Sequence, residues 1–161
     1  MTGETIAIRA AADADADRLL GWSNDPLTRA AGFHVAPIAV DDHRAWFDGV
    51  LADPSRGRIW IGLEGSRPVG SVRVALTADG VLEVGIMLDA AARGTGRSRP
   101  LLEAGLGAAR VAFPGRRFRA WIRADNAPSL ALFAGAGFRP PARPPARPPG
   151  APGDAVVVER D

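Results

Sequence analysis

Residues 82–106 read, in order, as a strand, a glycine turn and a helix: Leu82-Glu83-Val84-Gly85-Ile86-Met87-Leu88, then Arg93-Gly94-Thr95-Gly96-Arg97-Ser98, then Leu101-Leu102-Glu103-Ala104-Gly105-Leu106. A strand that runs through Gly-x-Gly into a helix aims backbone N–H groups and the positive end of a helix dipole at one point in space. That arrangement suits a pyrophosphate, so an anionic cofactor is the first expectation.

The glycine pair by itself has little specificity. The chain holds 19 glycines, and Gly105-x-Gly107 and Gly135-x-Gly137 show how readily the triplet arises. The specificity lies downstream. Trp121-Ile122-Arg123 ends a short apolar run, and Asn126-Ala127-Pro128-Ser129-Leu130-Ala131-Leu132-Phe133-Ala134-Gly135 opens with an Asx cap, forms a short helix and stops on glycine.

Arg93-x-x-Gly96-x-Ser98 at a helix start, followed some thirty residues later by Asn-x-x-Ser-x-x-Leu-Phe-x-x-x-Gly-Phe, resembles the Gcn5-related N-acetyltransferase (GNAT) family. The resemblance covers most of residues 5–139. Ser98 departs from the family's usual Gly or Ala, but it is small enough to let backbone approach a phosphate. Pro100 falls in the first helical turn, where its missing N–H costs no intrahelical bond.

The resemblance implies one α/β domain of the α+β type: a mixed, mostly antiparallel sheet with helices on both faces and splayed central strands. It also implies acetyl-coenzyme A as co-substrate. Residues contacting the coenzyme would be Ile86, Met87 and Leu88 on the strand, Arg93, Gly94, Thr95, Gly96, Arg97 and Ser98 on the turn, and Asn126 and Phe133 downstream. The family strand before the turn carries a bulge, and Gly85 fits either a bulge or a close ligand approach.

Acetyl transfer from a thioester to an amine needs the amine deprotonated and the thiolate stabilised as it leaves; direct transfer needs no covalent intermediate. Glu83 is the candidate general base, with a solvated strand carboxylate as the competing reading, because one sequence does not show which face of the strand it occupies. Relatives often place Tyr at the position of Phe133 to protonate the thiolate, yet the chain has no tyrosine. That role passes to water, to Ser129 or to the substrate, or is unnecessary. Phe133 packs against the pantetheine arm or within the core.

On the acceptor side, Trp22-Ser23-Asn24-Asp25-Pro26-Leu27-Thr28-Arg29 and His43-x-x-Trp46-Phe47 look like the branch of the family that acylates nucleotide-linked amino-deoxysugars. By that likeness Trp22, Asn24, Asp25, Arg29 and His43 would surround sugar or nucleotide phosphate. The competing reading makes Trp22, Trp46 and Phe47 core and Asn24-Asp25-Pro26 a turn.

Composition sets the bounds. At 161 residues with 47% hydrophobic content the chain suits one domain. No long apolar run or signal pattern occurs, which makes a cytoplasmic protein without a membrane segment the expectation. Without cysteine, and with two histidines, no metal is expected. All 20 basic residues are arginine; residues 93–147 hold eleven against two carboxylates, a balance of +9, and residues 1–89 hold eight against thirteen, a balance of −5. A phosphate-rich cofactor accounts for this asymmetry, and the basic region lacks the aromatics of a nucleic-acid binder.

The element order expected is a strand near Thr5–Arg9, helices near Asp13–Trp22 and Val40–Leu51 (the latter capped by Asp41 or Asp42), three antiparallel strands ending at Leu88, then helix, strand, helix and a last strand at Ala155–Arg160. Residues 1–139 form the acetyltransferase domain, 140–153 a Pro/Arg-rich loop without ladder donors, and 154–161 the strand that completes the domain. The function expected is acetyl-coenzyme A-dependent N-acetylation of a small-molecule primary amine, with a nucleotide-linked amino sugar as the specific case. Other small amines, aminoglycosides, protein N-termini and a non-catalytic coenzyme-binding module are the alternatives. Pairing of an edge strand with a second copy, giving a homodimer, stays open.

Overall fold

A computed structural model describes residues 5–161. Six strands form one sheet in chain order: β1 (Ala7–Ala10), β2 (Gly57–Glu64), β3 (Arg67–Leu76), β4 (Leu82–Leu88), β5 (Phe118–Ile122) and β6 (Val156–Arg160). All neighbours are antiparallel except β4 and β5. This is the mixed, mostly antiparallel sheet expected.

Period-two alternation divides the core between two faces. Trp60, Val74 and Leu82 point to one face and pack under α4 (Ser98–Ala112) and α5 (Ala127–Gly135), with Leu102, Leu106, Phe118, Phe133 and Phe138. Ile59, Ile61 and Met87 point to the other and pack under α1 (Ala16–Asn24) and α3 (Val40–Ala52), with Leu19, Trp22 and Phe47. Helix α4 rests closely on β3, because Gly105 faces Val72 where a Cβ would come within 2.5 Å of the valine side chain.

Three local differences from the sequence reading have physical causes. The turn expected at Asn24-Asp25-Pro26 opens a further helix, α2 (Pro26–Ala31): Asp25 caps it by accepting from the N–H groups of Leu27 and Thr28, and Pro26 fills the first position. Helix α3 begins one residue after Ala39 with no side-chain cap, so Asp41 and Asp42 act through the helix dipole rather than as caps. Strand β4 carries no bulge: its register against β3 runs unbroken from Gly70↔Leu88 to Leu76↔Leu82, and the irregularity lies between Gly62 and Leu63 of β2.

The splaying expected of the central strands is present, without a bulge in β4. Strands β4 and β5 pair only at Leu82↔Phe118 and Glu83↔Arg119, after which they part. Strand β5 meanwhile stays paired with β6 along its whole length, from Phe118↔Arg160 to Ile122↔Val156. Arg119 anchors this unit: its side chain, 8% exposed, pairs with Glu159 of β6 at 2.9 Å and with Asp79 of the β3–β4 turn at 2.8 Å.

After Phe138 the chain makes a single bridge, Arg139 with Glu159, and then runs as an irregular proline-rich segment to β6. The segment turns back towards α2, where Gly150 lies against the His34 ring with no room for a Cβ.

Candidate active site

The parting of β4 and β5 opens a cavity of about 1220 Å³ that runs from α2 and α3 on one side to the glycine turn and the starts of α4 and α5 on the other. Of the expected coenzyme residues, Ile86, Met87, Leu88, Arg93, Gly94, Gly96, Arg97, Ser98, Asn126 and Phe133 all line it. Beyond Glu83 β4 has lost its β5 partner, so the alternate amides that point away from β3, at Val84, Ile86 and Leu88, face the cavity, while the others stay in the ladder with β3.

Gly94 and Gly96 hold φ of +68° and +78°, with open space where a Cβ would stand. They turn the chain sharply into α4, whose 15 residues begin with no side-chain cap. An uncapped helix N-terminus beside an open glycine turn meets the requirement of a pyrophosphate, so the residues present fit coenzyme A. Thr95 is not on the cavity wall: its hydroxyl donates to the Ala92 carbonyl, leaving the backbone as its contribution to the turn.

Both arginines of the turn are engaged by carboxylates. Arg93 donates to Asp25 at 2.7 Å and to Thr28 Oγ1 at 3.1 Å; its guanidinium, above all, lowers the Asp25 pKa. Arg97 donates from Nε and Nη2 to the two oxygens of Glu64, at 2.5 and 3.0 Å. Downstream, Asn126 caps α5 by accepting from the Ser129 N–H at 3.2 Å, and both side chains line the cavity. Phe133 is 4% exposed and meets Phe138 edge to face at 5.0 Å, so it is a core residue whose margin reaches the cavity wall.

The strand pattern settles which face Glu83 occupies. Leu82, Val84, Ile86 and Leu88 belong to the α4 and α5 side, whereas Glu83, Gly85 and Met87 point towards α1–α3. On the neighbouring β3, Ser71, Arg73 and Ala75 share that face, in register with Met87, Gly85 and Glu83 respectively. Glu83 is half-buried and lines the cavity.

The five expected acceptor residues separate. Arg29 and His43 line the cavity. His43 is 4% exposed, contacts the Ala16 carbonyl through Nε2 at 3.0 Å and stacks on Phe47. Arg29 donates to the His34 carbonyl, while its buried Nε has no partner among the described residues.

Trp22, Asn24 and Asp25 lie outside the cavity wall and hold the scaffold together. Trp22 is 6% exposed and donates to Asp89 at 2.9 Å, a bond that lowers the Asp89 pKa more than any other contact. Asn24 exchanges two hydrogen bonds with the backbone of Ile38, at 2.8 and 2.9 Å, which fixes the loop between α2 and α3. Asp25 caps α2 and holds Arg93.

One residue on the wall escaped the sequence reading. Arg73, inside the run Val72-Arg73-Val74, extends over Gly85 with its guanidinium 5.6 Å from the centre of the Trp46 ring. It also borders a second hollow of about 400 Å³ between α3 and β3. Its head group is open to these cavities yet closely walled, so loss of water lowers its pKa while Glu83 opposes that shift. A lone arginine between two valines of a central strand is the signal that could have found it, because a charge there needs an aqueous or charged neighbour.

The Acetyltransferase (GNAT) domain family matches residues 5–139. No curated protein sequence matches the chain. Among solved structures, an N-acetyltransferase from Staphylococcus aureus Mu50 is 24% identical, with 98% of each chain covered and a TM-score of 0.77. A ribosomal-protein-alanine N-acetyltransferase from Brucella melitensis is 22% identical, with 96% of this chain and 98% of that one covered and a TM-score of 0.77. A spermidine N-acetyltransferase from Vibrio cholerae, in complex with CoA and spermine, is 14% identical, with 98% and 94% covered and a TM-score of 0.80. No helix among the described residues is long and apolar enough to cross a membrane.

Proposed function

This chain belongs to the GNAT acetyltransferases, N-acetyltransferases dependent on acetyl-coenzyme A, and on that premise we propose that it moves an acetyl group directly to the primary amine of a small molecule, in its most specific form a nucleotide-linked amino sugar. The observation that carries the reading is the position of Glu83, on the cavity wall and on the face of β4 that looks towards α1–α3. The acceptor enters from that side, and the coenzyme lies along the glycine turn and the open edge of β4.

In this reading the coenzyme supplies an activated acetyl thioester, and each residue has a defined task. Glu83 takes a proton from the acceptor ammonium or amine, directly or through one water, so that the nitrogen lone pair is free to form the C–N bond as the C–S bond breaks. The β4 amides that point away from β3, at Ile86 and Leu88, donate towards the thioester carbonyl and pantetheine, with Met87 between them held in the β3 ladder. The turn from Gly94 to Ser98 and the first turn of α4 hold the pyrophosphate; Arg93 and Arg97 exchange carboxylate partners for phosphate. Ser129, at the first turn of α5, or a water beside it returns a proton to the departing thiolate, with Asn126 fixing the start of that helix. Arg29 and His43 support an acceptor that carries sugar or phosphate oxygens.

The test is calorimetric titration of acetyl-coenzyme A followed by measurement of thiol release with a panel of 4-amino nucleotide sugars, spermidine and simple amines. Binding together with acceptor-dependent release is the expected result. Glu83→Gln should lower turnover about 10²–10⁴-fold with coenzyme affinity retained; an unchanged rate removes Glu83 as base. Binding without release from any amine would leave a coenzyme-binding module.

A further inference from the structure

Resting on the acetyl-transfer reading of this site, we propose that Arg73 is the specificity-determining residue of the acceptor half, and that it selects primary amines carrying an anionic oxygen group close to the reacting nitrogen. Three features of the structure carry this. The guanidinium has no hydrogen bond or carboxylate ion pair among the described residues; it lies over the Trp46 ring and, through space, within the field of Glu83. It lies across Gly85, with Nε and Nη2 each 3.7 Å from the point where a Cβ would stand, an ordinary contact distance that keeps the guanidinium close over the β4 backbone. It lines the cavity on the same face as Glu83, one register pair away along the sheet.

Diagonal neighbours on one sheet face have backbones about 7–8 Å apart, and the Arg73 guanidinium reaches across to Gly85, the next residue after Glu83 on that face of β4. An acceptor can therefore place its amine at Glu83 and its anion on the Arg73 fork at once if the two groups are separated by one or two carbons. Planar, two-oxygen anions match that fork in bidentate fashion, and both a carboxylate and a phosphate oxygen pair satisfy it. The short separation favours a carboxylate on or next to the amine-bearing carbon; the diphosphate of a nucleotide-linked 4-amino sugar, attached at C1, offers the same kind of oxygens at a longer reach. Arg29, with its partnerless buried Nε, adds to the positive potential of this wall. A polycationic amine would have to bring further charge against both guanidiniums.

The test pairs acceptors that differ in the anion alone. Phenylalanine is compared with phenethylamine, the corresponding aminophosphonate is added, and a 4-amino nucleotide sugar forms a further arm. The expected result is a kcat/KM at least tenfold higher for an anionic member than for its neutral counterpart. That preference should vanish in Arg73→Gln and return in part in Arg73→Lys, with coenzyme affinity unchanged in both as the check on folding.

A second measurement does not depend on turnover. With coenzyme A bound, N-acetylphenylalanine and N-acetylphenethylamine are titrated calorimetrically, and the acid should bind at least tenfold more tightly in the wild-type protein alone. Equal binding of the pair, or a preference that survives Arg73→Gln, overturns the proposal. Anion-dependent binding without thiol release from any amine would instead refute the acetyl-transfer reading while leaving the anion site standing. Preference confined to the nucleotide sugar assigns the anion to phosphate and overturns the carboxylate placement.

Discussion

Replacing Gly105 by alanine tests how closely α4 is seated on β3. A Cβ at this position would stand 2.5 Å from Val72 Cβ, 2.5 Å from Cγ1 and 2.6 Å from Cγ2, against about 3.5–4.0 Å for carbons in ordinary contact. Rotating the valine about χ1 moves its methyl groups but leaves Cβ where it is, so side-chain adjustment cannot relieve the overlap. The helix must retreat by roughly 1 Å, loosening Leu101, Leu102 and Leu106, each fully buried.

Overpacking of this kind costs about 1–3 kcal/mol, and three simultaneous overlaps place it near about 3. Alanine in a helix interior returns about 1 kcal/mol over glycine. The net loss of about 2 kcal/mol corresponds to a fall in Tm of about 4–8 °C for a chain of this size. Gly107, two residues on and exposed, has nothing within 4 Å of the point where an alanine methyl group would stand. Gly107→Ala should therefore collect the helix term alone and raise Tm by about 2–4 °C. Thermal melts of both variants followed by circular dichroism decide the matter. If Gly105→Ala melts at or above the wild-type temperature, the close seating of α4 on Val72 is wrong.

Asp25→Asn keeps an acceptor oxygen for the α2 cap but releases Arg93, so coenzyme A should bind severalfold more tightly; calorimetry showing weaker binding would mean that the Asp25–Arg93 pair preorganises the turn instead of competing for it. Arg119→Met leaves buried Glu159 with Arg117, at 3.2 Å, as its remaining cation among the described residues, and should cost about 3 kcal/mol, at the low end for breaking a buried pair; Arg119→Met with Glu159→Gln should recover part of that loss in chemical denaturation. Arg9 holds Asp15 below the usual carboxylate range, Arg119 and Thr77 hold Asp79 at about 2, and Trp22 lowers Asp89. Because these folded-state values are depressed, the stability they supply is complete above the ordinary carboxylate pKa of about 3.9 and drains away as pH falls towards about 2. Tm measured from pH 6 to 2.5 should fall across that interval, with a shallower slope in Asp89→Asn.

Those carboxylates also mark the limit of what the sequence alone could show. Features set by local pattern were legible: the alternation of β2–β4, the glycine turn into α4 and the Asn126 cap follow from periodicity, turn residues and caps. Features set by pairing across the chain were not. Trp22 and Asp89 are 67 residues apart, Arg93 and Asp25 are 68, and Asn24 reaches the Ile38 backbone; each bond turned a residue expected to meet the acceptor into scaffold. Helix α2 was hidden because Asn-Asp-Pro serves equally as a stop for α1 and as a cap with proline at the next helix start. The splay of β4 from β5 was expected from the family resemblance and not from any residue within β4, and the bulge expected with it is absent because β4 keeps an unbroken register with β3.

The parting of β4 and β5 also has a mechanical side. Four strands form one stiff plate and two form another, and within the sheet the seam between them is two rungs long. A coenzyme laid into the gap would supply the missing rungs, so the ligand acts as a brace across a hinge. Amide exchange should register this as selective slowing in residues 84–88 and 120–122, with little change in β2 or β3. The fold thus has its shortest run of strand pairing at the proposed site of acetyl transfer, and a bound thioester would brace the seam that admitted it.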